Sequence, residues 1–376
     1  MTKTKLLALA GASLLAIGGL ASCGEKNNDK ALETVKVGFQ GNFGAAAGMT
    51  AVNEGYFEEF GIKADYSIAT GPNLAASVLS GSLDVVFLGN GVAWNYFTES
   101  STMKLIALDN LTDDDRLIAT TSGKGKDLTL NSTHADLAKA LKGSTVALDL
   151  STTPGSFWAS LVTTLNKELD EGQKIWYDDG ATKLPSDLGE SNYVDDNKVT
   201  ILKTTTANLP TTMKQADAAD FCVAFAPVAT TLEKDTKNFK TVAKTSTHMS
   251  ESYTPSTWAV NTTFLKEHES TFKNFMKGLV KGMEKRATDP AVAATATEVC
   301  TAQATLAKDI ATDIAVWLGV DKQIELCGEK TGKGYTYAEN IRNSALSGAN
   351  KDKVKKTVAD AVDFSYVVEA AKALKA

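Results

Sequence analysis

Histidine is almost missing from this sequence: His134, His248 and His268 are the only three in 376 residues, and they are scattered. Cysteine is nearly as rare, at four, and no two stand at a metal-binding spacing. A histidine- or thiol-rich metal centre is therefore not expected. No Gly-x-Ser-x-Gly elbow or Ser/His/Asp order occurs, and no P-loop. Hydrolase and nucleotide-driven chemistry have no residues to work with. Basic clusters are absent too: 39 Lys and Arg stand against 45 Asp and Glu, a formal charge of −6. Nucleic acid, which needs a dense positive face, is excluded as a partner. Beyond residue 20 no apolar run is long enough to cross a bilayer, and no solenoid-type repeat is found.

What is present begins with an address. Lys3 and Lys5 precede an uncharged stretch over residues 6–20, followed by Leu20, Ala21, Ser22 and Cys23. The run is shorter than a membrane span and has the length of a secretory core. The four last residues resemble a bacterial lipobox, in which Cys23 receives a diacylglycerol. Residues 1–22 are thus expected to be a lipoprotein signal peptide, and residues 23–34 a lipidated cysteine with a polar tether. That implies attachment to the cell membrane on its extracytoplasmic side. Several acyl chains on one cysteine hold firmly where one alone is marginal. Such a compartment permits oxidation, so pairing of Cys300 with Cys327 stays open; Cys222, in an apolar strand, reads as an inert buried thiol.

The remaining chain alternates strand and helix. Strands are expected at residues 35–39, 62–68, 84–88 and 105–108, with helices between them. Gly55 and Gly81 stand where those helices stop. The pattern restarts with strands at 146–148, 199–202 and 221–225. Repeated strand-helix-strand units call for a mostly parallel sheet with right-handed crossovers, here built twice. Residues 168–197 are acidic and turn-rich and read as a solvated insertion. A further strand at 257–260 precedes a long helix whose buried face includes Leu265, His268, Phe272, Phe275 and Met283. More helices are expected at 291–305, 309–318, 338–346 and 354–374.

One segment is specific enough to resemble a family. Glu54-Gly55-Tyr56-Phe57, then Gly61-Ile62, Gly71, and Leu79-Ser80-Gly81-Ser82-Leu83-Asp84 are similar to the nitrate, sulfonate, taurine and thiamine-precursor binding family. Residues 137–150 and Phe225-Ala226-Pro227 resemble its second-lobe elements. The resemblance implies an α/β, two-lobe type II periplasmic-binding-protein-like fold with a ligand cleft between lobes. Lobe one would comprise residues 35–112, and lobe two residues 113–250. Residues 251–376 would return to lobe one and add a helical C-terminal region.

Parallel sheets bind ligands beyond the carboxyl ends of their strands. Those ends carry Gln40, Asn42, Phe43, Thr70, Gly71, Asn73, Gly89, Asn90, Asp109 and Asn110 in the first half. In the second half they carry Ser151, Thr152, Thr153, Ser156 and Phe225, and Trp258 is added as an aromatic wall. Phe43, Trp94 and Trp158 are further candidates for such a wall. Asp109 or Asp149 could meet an amine on the ligand. Lys and Arg are absent from these loops, which disfavours a small inorganic anion. The expectation is an importer's solute-binding component: a monomer without cofactor or metal, holding a small organic molecule and docking an ABC permease with its cytoplasmic ATPase. A surface adhesin lipoprotein on the same fold is the alternative, and an enzyme of the pyrimidine-synthase type a weaker one.

Overall fold

A computed structural model describes residues 31–41, 43–150, 153–215, 217–226, 228–250, 253–301, 315–347 and 352–376. Cys23 and the segments assigned to signal peptide and tether lie outside the described residues, apart from residues 31–34.

Among the described residues thirteen strands run in chain order: β1 (Glu33–Gln40), β2 (Ile62–Ala69), β3 (Val85–Gly89), β4 (Met103–Thr112), β5 (Arg116–Thr120), β6 (Thr145–Leu148), β7 (Trp176–Asp178), β8 (Lys183–Leu184), β9 (Lys198–Lys203), β10 (Phe221–Ala224), β11 (Phe239–Lys244), β12 (Thr254–Asn261) and β13 (Ala315–Trp317). They form two sheets, ordered β13-β4-β12-β3-β1-β2 and β11-β5-β10-β6-β9-β7-β8. The mixed α/β architecture expected from the alternating pattern is therefore present twice.

In the first sheet β1 is parallel to β2 and β3, and β12 lies antiparallel between β3 and β4. Two strands antiparallel to the same neighbour run the same way, so β1 to β4 all point in one direction. Their inward residues, including Val37, Phe39, Phe87 and Leu105, are buried with no exposed surface. The left-handed glycines sit where the sequence asks for them: Gly55, Gly61 and Gly81 have φ of 70°, 76° and 75°.

Trp258 on β12 packs edge-on against Phe39 and Phe87, at centroid distances of 5.9 and 5.6 Å. The helix Glu269–Thr288 covers this face, with Phe275 stacked on Phe57 at 4.8 Å. Two glycines let it approach. A Cβ at Gly282 would lie 2.5 Å from the Ala47 carbonyl oxygen, and one at Gly278 2.7 Å from the Phe57 ring. The helix Ser365–Lys375 packs on the same long helix and on the helix Val320–Cys327, so the C-terminal region completes this core.

The second sheet is covered on both faces. Trp158, Leu161 and Leu165 of the helix Thr153–Lys167 pack with Val146, Leu148 and Phe221. Leu209, Leu232 and Cys222 pack with Ile118 and Ala147.

Three expectations are corrected and one open question is answered. Residues 168–197 are not merely a solvated insertion: β7 and β8 extend the second sheet beyond β9, and Ile175, Trp176 and Tyr177 are buried. The long helix is broken at His268, which lies exposed as a non-helical junction between Thr262–Glu267 and Glu269–Thr288 and stacks on Phe264. Residues 315–317, expected at the end of a helix, pair with β4 as a strand, and residues 354–357 are not helical. Cys300 and Cys327 are separate buried thiols, as is Cys222.

Candidate functional site

Because β1 to β4 share one direction, their carboxyl ends Gln40, Ala69, Gly89 and Thr112 form one rim. In the second sheet β6, β9 and β10 run parallel, and β5 is antiparallel to β10 with Arg116 opposite Ala224. The amino end of β5 therefore lies on the carboxyl rim of that sheet. Only Asp113, Asp114 and Asp115 separate the end of β4 from the start of β5. Such a span reaches at most ~14 Å. The two carboxyl rims thus converge on this short acidic link.

On the first rim, Gln40 Oε1 accepts the Gly89 N–H at 3.0 Å and ties two strand ends together. Gly71 packs against that amide: a Cβ there would meet Gln40 Oε1 at 3.1 Å and Val92 at 3.3 Å. Thr70 occupies the N-cap position of the helix Gly71–Ser80 without a side-chain cap, and both Thr70 and Asn73 are exposed. Phe43 meets the ring of Trp317 edge-on at 6.2 Å. Asn90 has no exposed surface, yet neither its amide oxygen nor its nitrogen has a hydrogen-bond partner. Asn42 lies outside the described residues.

On the second rim, Thr153 opens the helix Thr153–Lys167 and Ser156 is exposed on its first turn. Phe225 is half-buried at the end of β10. Ser151 and Thr152 fall outside the described residues. Asp149 has an interaction partner of its own.

Other expected contacts belong to the core instead. Asp109, Asn110 and Trp258 are fully buried. Asp109 pairs with the guanidinium of Arg286, accepts the Trp258 Nε1–H at 2.7 Å and takes the Asn110 amide at 2.9 Å. The acid faces an internal cation rather than a guest, and the indole is a core ring. Trp94 and Trp158 are likewise fully buried. The reason is burial: Asp109 lies on β4 beside β12 with no access to water, and Arg286 and the Trp258 N–H supply its partners inside the fold.

The acidic link itself is what the sequence reading missed. Asp113 accepts from the Ser246 N–H at 2.7 Å and its hydroxyl at 2.5 Å. Asp114 accepts the Ala226 N–H at 2.9 Å. Asp115 is 8% exposed and receives only the Thr153 hydroxyl, at 3.3 Å, among the described residues. Arg116 is engaged by Glu233. Burial pushes the Asp114 carboxyl up to about 6, opposed by the Ala226 N–H. Burial, and then the neighbouring Asp114 charge, push Asp115 up to about 8. A run of acids after a strand was a visible signal, but such runs ordinarily mark a solvated turn.

The histidines expected to be scattered include one pair. His134 and His248 lie 5.7 Å apart, and each ring bonds a backbone carbonyl, of His248 and Ser132 respectively. They brace the helix His134–Leu141 against residues 245–249 and form no metal centre: the described residues hold no group of three or more ligands.

A sequence-family model described as NMT1/THI5 like matches residues 171–293, in accord with the resemblance read from the sequence. No curated protein matches the chain. Solved structures do. A putative sulfonate ABC transporter's periplasmic sulfonate-binding protein from Methylobacillus flagellatus aligns at TM-score 0.61 and 14% identity, covering 92% of this chain and 96% of that one. The periplasmic nitrate-binding protein of Synechocystis aligns at 0.56 and 12%, covering 92% and 89%. The desulfurization enzyme DszB aligns at 0.53 and 11%, covering 91% and 99%. The chain has the periplasmic-binding-protein fold that these proteins share.

Proposed function

We propose that this chain is the solute-binding component of an ABC-type importer, held to the outer face of a membrane through Cys23. The observation that carries the reading is the meeting of two strand-end rims, one from each sheet, on the link Asp113–Asp115. The first lobe would be residues 35–112 with the return from residue 251, and the second residues 113–250. A guest touching both rims favours the closed arrangement by its differential affinity, and the link takes up the motion. The closed monomer would then dock a permease driven by a cytoplasmic ATPase. The fold's neighbours named for sulfonate and nitrate binding support this role.

Catalysis on the same fold, as in the desulfurization enzyme, would need an accessible nucleophile or base. The three described thiols are buried and His134 and His248 are spent on backbone carbonyls, while the exposed His268 stacks on Phe264 at a helix junction off both rims. Among the described residues no helix is long and apolar enough to cross a membrane. The anchor we assign is a lipid on Cys23, on the strength of Leu20-Ala21-Ser22-Cys23.

The test is a thermal-shift screen of the purified chain against sulfonates, taurine, nitrate, pyrimidines and amines. A guest at 100 times its dissociation constant adds about 2.7 kcal/mol. If no small molecule in a broad metabolite set moves the melting temperature, the reading fails and an adhesin role takes its place. Radiolabelled palmitate incorporated into wild type but not into Cys23→Ser checks the anchor.

A further inference from the structure

A solute-binding role still requires the rims to match the charge of the guest, and the match here is to a cation. The inference rests on the solute-binding reading of the same two rims. Of the acids on the link, Asp113 is saturated by Ser246 and Asp114 is held by the Ala226 N–H. Asp115 is left over: nine-tenths buried, bonded on one oxygen by a single long contact from Thr153, with no partner on the other among the described residues.

The two nearby arginines each have an acid partner, although the Nε of each is buried without a hydrogen bond. Arg116 is paired with Glu233, whose other oxygen takes the Thr241 hydroxyl. Arg286 is buried against Asp109. The loops carrying the candidate residues hold no Lys or Arg, while β9 and β11 end on the second rim at Lys203, which donates to the Asp179 carbonyl, and at Lys244, opposite Arg116. An oxyanion on the link itself would meet the three carboxyl groups of Asp113–Asp115, with Arg116 already paired to Glu233. The first turn of the helix Thr153–Lys167 is where an anion would otherwise rest. There the Thr153 hydroxyl is already turned to Asp115.

A second observation comes from the other rim. Asn90 is wholly buried at the carboxyl end of β3 with its amide unpaired on both atoms. A buried polar group left unpaired is costly, and such groups nearly always have a partner. A guest that donates N–H to the Asn90 oxygen and the Asp115 carboxylate satisfies one orphan on each rim. We propose that the solute carries a cationic nitrogen group, a protonated amine, amidine or guanidine, bound by Asp115 with Asn90 as its partner on the opposite rim, and that sulfonates and nitrate are not ligands.

Such a cation stabilises the ionised carboxylate. Because burial holds a proton on Asp115 near neutrality, binding releases that proton to solvent.

The experiment uses the full chain purified in detergent, at about neutral pH. Melting is recorded with agmatine, benzamidine and putrescine on one side, and with methanesulfonate, ethanesulfonate and nitrate on the other. The expected result is a shift from at least one cation and none from the anions. Affinity for that cation falls tenfold or more in Asp115→Asn. Titration calorimetry of wild type in two buffers of different ionisation enthalpy should show proton release, a readout independent of whether the variant folds. A sulfonate or nitrate that raises the melting temperature overturns this proposal and leaves the solute-binding reading standing. A cation that binds Asp115→Asn as tightly as wild type, with no proton released, overturns the role of Asp115. Silence from both panels while another metabolite binds overturns the charge class alone; silence from every metabolite overturns both readings.

Discussion

Asp109 and Arg286, 177 residues apart, form an ion pair with no exposed surface on either side chain. The pair ties the end of β4 to the helix Glu269–Thr288, and Arg286 also donates to the Asp109 carbonyl at 2.8 Å. Its guanidinium lies 4.5 Å from the centroid of Trp317, so β13 closes over it. Taking one partner away strands the other in a medium that cannot solvate it.

Arg286→Met should therefore cost about 3–5 kcal/mol, the usual loss when one member of a buried pair is removed. Adding Asp109→Asn removes the stranded charge and should recover part of that loss. Urea unfolding of the two single variants and the double variant measures this coupling. Additive losses would mean that the two groups do not interact.

Stability should fall with rising pH through the window set by the acidic link. Asp115 ordinarily titrates at 3.8 and is pushed up to about 8, so the folded chain keeps a proton that the unfolded chain has lost. The folded state binds more protons between about pH 4 and pH 8, and its stability declines across that span. Asp114, raised to about 6, adds to the decline at the acidic end. The charged groups around them are Asp113, Arg116 and Glu233. Asp115→Asn should flatten the curve and gain on wild type as pH rises, by up to ~1.4 kcal/mol for each pH unit crossed within that window. Unfolding at about pH 5, 7 and 9 decides it; parallel curves for the two proteins would refute the assignment.

Local signals carried most of the fold. Gly55, Gly61 and Gly81 mark turns that only a residue free at positive φ enters comfortably, and strands β3 and β10 are short apolar runs that each follow an Asp. Long-range pairing was not legible. Nothing near Asp109 announces Arg286, and nothing near Trp258 says that its indole N–H will find that acid 149 positions earlier. Each was assigned to a ligand rim because a polar or aromatic residue at a strand end has two explanations, and only the fold separates them. Asp113–Asp115 carry the opposite ambiguity: three acids in a row suggest water, yet all three are buried between the strands on either side.

Gly282 should resist even the smallest side chain. Alanine normally favours a helix by about 1 kcal/mol over glycine. Here its methyl would stand 2.5 Å from the Ala47 oxygen and 2.8 Å from the Ala51 Cβ, both on the short helix Ala46–Asn53 beneath. Overpacking of this kind costs about 1–3 kcal/mol and outweighs the propensity gain. Gly282→Ala should lower the melting temperature, whereas Gly172→Ala, with nothing within 4 Å of its Cβ, tests only the strain of its φ of 78°. An unchanged melting temperature for Gly282→Ala would mean that the two helices are not in close contact.

The thiols give the last expectation. Burial pushes Cys300 and Cys327 up to about 12, and raises Cys222 further. Attack on a disulfide reagent needs thiolate and access, and all three cysteines are denied both. With Cys23 lipidated or replaced, the native chain should leave an aromatic disulfide reagent uncoloured, and denaturation without reductant should release three equivalents. One equivalent would mean that Cys300 and Cys327 had found each other. That would require the helix Pro290–Thr301 and the helix Val320–Cys327 to sit elsewhere on the first sheet, and the core around Arg286 and Trp317 to be redrawn with them.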